Sequence, residues 1–90
     1  MLKIEHIGIA VHDLEEAEKL YEKLLGSPSY KREEVESEKV VTSFFRSGPN
    51  KVELLAATEE SSAIHKYLEK KGEGIHHIAF AVENIRAEMA

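Results

Sequence analysis

Two of the five histidines in this 90-residue chain stand apart by position. Ile4-Glu5-His6-Ile7-Gly8-Ile9-Ala10-Val11-His12-Asp13-Leu14 aligns with Ile75-His76-His77-Ile78-Ala79-Phe80-Ala81-Val82-Glu83-Asn84-Ile85 at a constant offset of 71 residues. Ile4/Ile75, His6/His77, Ile7/Ile78, Ala10/Ala81 and Val11/Val82 are identical. Neutral imidazole is a common ligand for first-row divalent metals, and two of them from equivalent strands of a duplicated unit would face each other across a cavity. Taken singly, each is more readily a hydrogen-bonded strand histidine. The repeat shifts the weight to a metal site and selects His77 over His76. Neighbouring strand residues point to opposite faces, so only one of that pair is expected to enter the cavity.

Glu53 is the third candidate. It lies in the apolar run Lys51-Val52-Glu53-Leu54-Leu55, where a carboxylate is costly unless paired or bound to a cation. It could equally face solvent on an edge strand, with Lys51 as its partner. His12 and His65 read as surface residues, and the glutamates of residues 13–25 as a solvated helix face.

The elements that must carry these residues are legible from period and caps. Residues 3–11 alternate as a strand, with Ile4, His6, Gly8 and Ala10 on one face; the small neighbours leave room beside His6. Asp13 is an N-cap with Glu16 three residues on, and Leu14, Ala17, Leu20, Tyr21, Leu24 and Leu25 form a helical stripe ended by Gly26 and Pro28. Glu15 is placed to pair with Lys19. Residues 29–37 read as a charged edge strand at most. Residues 39–47 and 51–57 read as strands joined through the turn Gly48-Pro49-Asn50. Ser61 or Ser62 caps a short helix through Lys71, with Ala63, Ile64, Tyr67 and Leu68 as its stripe. The repeat strand follows, and Asn84 takes the N-cap place of Asp13.

This predicts a single sheet of three or four strands with one or two helices. A second copy of the unit would run beyond Ala90, and a sheet so small has open edges. The expectation is therefore a fragment of a longer protein, or part of an assembly. Chain length allows one small domain. The absence of cysteine excludes disulfides and thiolate metal sites and makes a reducing cytoplasm the default. A net charge of −5 argues against a nucleic-acid partner. No apolar run nears the roughly 20 residues that span a bilayer, which argues against a membrane partner.

The segments IEHIGIAVHDLEEAEKLYEKLLG, KVELL and SSAIHKYLEKKGEGIHHIAFAVENI together resemble the methylmalonyl-CoA epimerases of the vicinal oxygen chelate superfamily, to which glyoxalase I, extradiol dioxygenases and the bleomycin and fosfomycin resistance proteins also belong. The likeness is weakest over residues 28–47, and KGEGIHHIAF is its most specific part. It implies an α+β fold: a βαβββ module over residues 1–57, a linker helix over 58–73, and the first strand and helix start of an incomplete second module over 74–90. It implies a divalent metal held by His6, Glu53 and His77, with a fourth ligand, a glutamate, beyond Ala90. Co²⁺ is the first choice of metal, and Mn²⁺, Ni²⁺ or Zn²⁺ also suit two imidazoles with carboxylates.

The implied reaction is a 1,1-proton transfer alpha to a thioester, interconverting (2R)- and (2S)-methylmalonyl-CoA, with a small-molecule acyl-CoA substrate and a homodimeric assembly. A glyoxalase I-like lyase and a non-catalytic binding module of the same superfamily are the alternatives. One acid/base glutamate of the family aligns with Thr42 here, so the catalytic residues stay unassigned. The isolated chain is expected to show little or no activity.

Overall fold

A computed structural model describes residues 2–82 of the chain. The elements run β1 (Leu2–Ala10), α1 (Leu14–Leu25), β2 (Lys31–Val35), β3 (Val40–Ser47), β4 (Asn50–Ala57), α2 (Ala63–Lys71) and β5 (Gly74–Val82). The α+β class is as expected. The sheet has five strands rather than three or four, in the order β2-β3-β4-β1-β5. The charged segment Lys31–Val35 does form an edge strand against β3, and β5 adds to the other side of β1. The N-cap expected at Asn84, and the helix it would start, lie outside the described residues.

Strands β2, β3 and β4 form a meander, closed between β3 and β4 by a two-residue turn in which Gly48 has φ 62°, the positive value that this hairpin turn demands. Helix α1 precedes the meander and carries the chain from β1 to β2 at the far edge, so that β4 returns to pair parallel with β1 and sets Glu53 beside Gly8. β5 pairs antiparallel with the free side of β1.

One helix packs on each face. α1 lays Leu14 and Ala17 on Phe45, Val52, Leu54 and Ala56. α2 lays Ile64 and Leu68 on Ala10, Val40 and Leu55 across the opposite face. Both helices begin as their sequences dictate: Asp13 accepts from the Glu16 N–H at 3.1 Å, and Ser62 accepts from that of Ile64 at 3.1 Å, contacts that each stabilise a helix by about 1 kcal/mol. α1 ends on Gly26 at φ 79°.

The helical stripes are narrower than their periods imply. Leu20, Leu24 and Ala63 are exposed: α1 buries only Leu14 and Ala17 against β3 and β4, and α2 only Ile64 and Leu68 against its face. Lys19 pairs with Glu16 at 3.6 Å rather than with Glu15. Glu18 departs most from the expected solvated face. Its carboxylate turns inward, takes both Arg32 Nε (2.9 Å) and Nη2, and accepts from the fully buried Ser43 hydroxyl at 2.5 Å. The Arg32 hydrogen bonds, followed by that of Ser43, hold the Glu18 carboxyl below the usual carboxylate range despite partial burial.

Candidate metal centre

The α2 side of the sheet bears the site. β1 contributes His6, its neighbour β4 contributes Glu53, and β5 contributes His77. One ligand-type atom from each lies within 4.8 Å of the others. His6 Nε2 is 3.2 Å from His77 Nε2 and 3.6 Å from Glu53 Oε2. The two rings meet edge to face, with centroids 5.2 Å apart. Glu53 sits on a central strand, between β3 and β1, which removes the reading of it as a solvent-facing edge residue. Its side chain keeps 16% of its exposure, and Lys51 pairs with Glu5 at 3.5 Å instead.

Gly8 makes this approach possible. It lies opposite both His77 on β5 and Glu53 on β4, and a Cβ placed on it would overlap the His77 ring. The small-residue lining expected around His6 is therefore specific: the ring of His77 lies over the one position that has no side chain.

Strand alternation fails at two places, and both are next to a ligand-type histidine. In the β1–β5 register, Ile4 faces Phe80 while His6 faces Ala79, so Glu5 is an extra residue. Gly8 faces His77 while Ile9 faces Ile75, so His76 is another. These are β-bulges. The first moves Ile4 off the His6 face, contrary to simple alternation. The second brings His76 to the side of His77 rather than to the opposite face. Its ring contacts that of Tyr67 on α2 edge to face at 4.9 Å, and its Nδ1 lies 3.0 Å from His77 Nδ1. The expectation that only one of His76 and His77 faces this side does not hold, because it assumed an unbroken strand.

The bulge at the first position does the same for Glu5, whose Oε1 lies 2.7 Å from His6 Nδ1. That hydrogen bond, then the charge and hydrogen bond of Lys51, hold the Glu5 carboxyl below its ordinary range. Burial, then the neighbouring His6 and His76, push the His77 pKa down, against an opposing pull from Glu53. A neutral imidazole with a free lone pair is the form that ligates. Alternation missed Glu5 and His76. The signal that could have found them is the repeat itself, which places a polar residue directly before each paired histidine.

A cavity of about 210 Å³ opens beside His76 and His77, walled by Val40, Leu55 and Ile64, with Glu38 at its edge. Thr42 lies on this face of β3, opposite Leu55, and is buried. A second groove, about 350 Å³, lies on the far side of the sheet between α1 and Gly74. Two of its carboxylates are committed: Asp13 caps α1, and Glu73 accepts from the backbone N–H of the exposed His12 at 2.7 Å. His65, half-buried on α2, lies 3.6 Å from Glu69 and takes no part in the three-residue cluster. No helix among the described residues is long and apolar enough to cross a membrane.

The family model of the glyoxalase/bleomycin resistance protein/dioxygenase superfamily matches residues 5–90. An uncharacterized protein of Bacillus subtilis, YqjC, is 45% identical over 80 residues, covering 89% of this chain and 57% of that protein. The ethylmalonyl-CoA/methylmalonyl-CoA epimerase of Cereibacter sphaeroides is 41% identical over 87 residues, covering 94% of this chain and 64% of the enzyme. Among solved structures, a variant of the Streptomyces coelicolor methylmalonyl-CoA epimerase in complex with 2-nitronate-propionyl-CoA superposes with a TM-score of 0.81 at 35% identity, covering 97% of this chain and 66% of that one. The chain thus spans from about half to just under two thirds of the length of these curated relatives.

Proposed function

The chain belongs to the glyoxalase/bleomycin resistance protein/dioxygenase superfamily, and from that premise we propose that it serves a methylmalonyl-CoA epimerase-type reaction, a metal-assisted 1,1-proton transfer alpha to a thioester. The observation that carries this reading is the convergence of His6, His77 and Glu53 on one point above Gly8.

The donor set fits a divalent cation. Ligands about 2.1 Å from one ion stand roughly 3.0–3.4 Å apart in tetrahedral or octahedral arrangements; the His6–His77 separation of 3.2 Å lies in that range, the His6–Glu53 separation of 3.6 Å just outside it, and all three atoms lie within 4.8 Å of one another. Two imidazole nitrogens and a carboxylate oxygen suit Co²⁺, Mn²⁺, Ni²⁺ or Zn²⁺ alike, and the family resemblance is what puts Co²⁺ first. When bound, such an ion supplies Lewis-acid stabilisation to the oxygens of an enolate.

The chain's own residues do the rest. His6 and His77 offer neutral nitrogens, and Glu53 offsets cationic charge that burial would otherwise penalise. Val40, Leu55 and Ile64 exclude water from the space beside His77. At about 210 Å³ that space is below the roughly 300–1,000 Å³ of whole-ligand pockets, so it suits the short acyl end of an acyl-CoA and leaves the nucleotide outside. Proton exchange on opposite faces of the alpha carbon needs two groups that titrate. The buried Thr42 hydroxyl does not titrate near neutral pH. Glu38 is the one carboxylate lining this cavity among the described residues. Slow or negligible turnover by the chain alone is the consequence. The same reading carries a homodimer and a cytoplasmic setting.

The test combines Co²⁺ titration with deuterium exchange at C2 of methylmalonyl-CoA. One Co²⁺ per chain, lost in His6→Ala, with alpha-proton exchange far slower than in a full-length epimerase, is the expected result. Binding of Co²⁺ well below one per chain and indifferent to His6→Ala sinks the proposal.

A further inference from the structure

The two bulges do a common job. Each inserts one residue directly before a histidine of the cluster, and each inserted side chain reaches the Nδ1 of that histidine. Glu5 Oε1 meets His6 Nδ1 at 2.7 Å, and His76 Nδ1 meets His77 Nδ1 at 3.0 Å. In both cases the other ring nitrogen, Nε2, is left on the Glu53 side. An unbroken strand would have sent Glu5 and His76 to the opposite face.

We infer that Glu5 and His76 are positioning residues that hold the rings of His6 and of His77 at Nδ1, set the tautomer of each in the metal-free chain, and turn both Nε2 atoms toward the space beside Glu53. The hydrogen-bond arithmetic is closed. An ionised carboxylate only accepts, so His6 Nδ1 must be the donor to Glu5, and the neutral His6 ring then has a bare lone pair at Nε2. The 3.2 Å contact between the two Nε2 atoms therefore takes its proton from His77. That leaves a bare Nδ1 on His77, and the 3.0 Å contact there takes its proton from His76. The result is a directed chain, His76 to His77 to His6 to Glu5, whose direction is set at the carboxylate end.

The relay bears on metal capture, a clause that rests on the reading in the preceding subsection. His77 must clear its Nε2 proton before that nitrogen can ligate. It can then take the His76 proton at Nδ1 and donate it back across the same contact, while its own Nε2 proton leaves to solvent and His76 gains one from solvent at Nε2. Both rings stay neutral, with one proton released for each one taken up. Tyr67, stacked edgewise on His76 and anchored by its hydroxyl to the Ile75 carbonyl at 2.8 Å, keeps the His76 ring in place for this exchange.

Long-range ¹H–¹⁵N spectra of the ¹⁵N-histidine-labelled, metal-free chain at a pH where the rings are neutral report each tautomer directly. The expected pattern is His6 protonated at Nδ1, His77 at Nε2 and His76 at Nδ1. In Glu5→Leu, which keeps side-chain bulk and loses the acceptor, His6 should revert to the Nε2–H or mixed state, and Co²⁺ affinity should fall about 10- to 100-fold, the usual cost of losing the partner that orients a ligating histidine. His76→Phe, which retains a ring against Tyr67, should lower affinity over the same range. A His6 found with its proton on Nε2 in the unaltered chain overturns the inference without any variant having to fold. So does a Glu5→Leu protein in which the tautomer is unchanged. Failure of the unaltered chain to take up Co²⁺, with the expected tautomers in place, instead overturns the metal reading and leaves this inference standing.

Discussion

His6 Nε2 and His77 Nε2 lie 3.2 Å apart although 71 residues separate them in the chain. The distance is set by antiparallel pairing of β1 with β5 and by Gly8, which lies under the His77 ring. If the pair forms two thirds of a cation site with Glu53, removing either ring must cost more than removing a group that only orients one. His6→Ala and His77→Ala should each weaken Co²⁺ binding by more than about 100-fold, the upper end of what an outer hydrogen-bond partner contributes. Isothermal titration of the metal-free protein measures this, and a change below about 10-fold for either variant would count against a shared ion.

Gly8 separates the site from the fold. Its φ is not in the left-handed region, so Gly8→Ala asks nothing unusual of the backbone and should change stability by no more than about 1 kcal/mol. The added methyl would displace the His77 ring. Near-unchanged thermal unfolding, together with a loss of Co²⁺ affinity of at least about 10-fold, is the expected combination.

Glu18 gives the fold a pH dependence on the opposite face. Its native pKa is lowered below the ordinary value of 4.5, first by Arg32. Above about pH 4.5 the full stabilisation is present; as pH falls through the depressed native value, the unfolded chain binds the proton more readily and stability is lost. Urea unfolding at a series of pH values between 7 and 3 should show that decline, and Glu18→Gln should flatten part of it while lowering stability at pH 7 by about 1–2 kcal/mol.

Phe45 is fully buried between α1 and the sheet, against Tyr21 and the Leu54 cluster. Phe45→Ala should cost about 3–5 kcal/mol, a large share of the roughly 5–15 kcal/mol available to a domain. A cooperative transition shifted far down in temperature, or absent, is the expected calorimetric result, with Phe45→Leu recovering most of the loss.

The amino-acid sequence determined the elements and named the histidine pair. Period and caps located α1 from Asp13 to Gly26 and α2 from Ser61 or Ser62 through Lys71, because helix starts and stops depend on side chains within a few residues. The repeat picked His6 and His77, since two copies of one strand put the same residue at the same place. The tertiary structure decided the rest. Whether Glu53 is an edge or a central residue follows from β4 pairing in parallel with β1, a contact between segments more than forty residues apart in the chain. The places of Glu5 and His76 follow from bulges that exist only in the pairing of β1 with β5. Alternation is a property of one strand, whereas a bulge belongs to two strands in register, and no reading of either strand alone contains it.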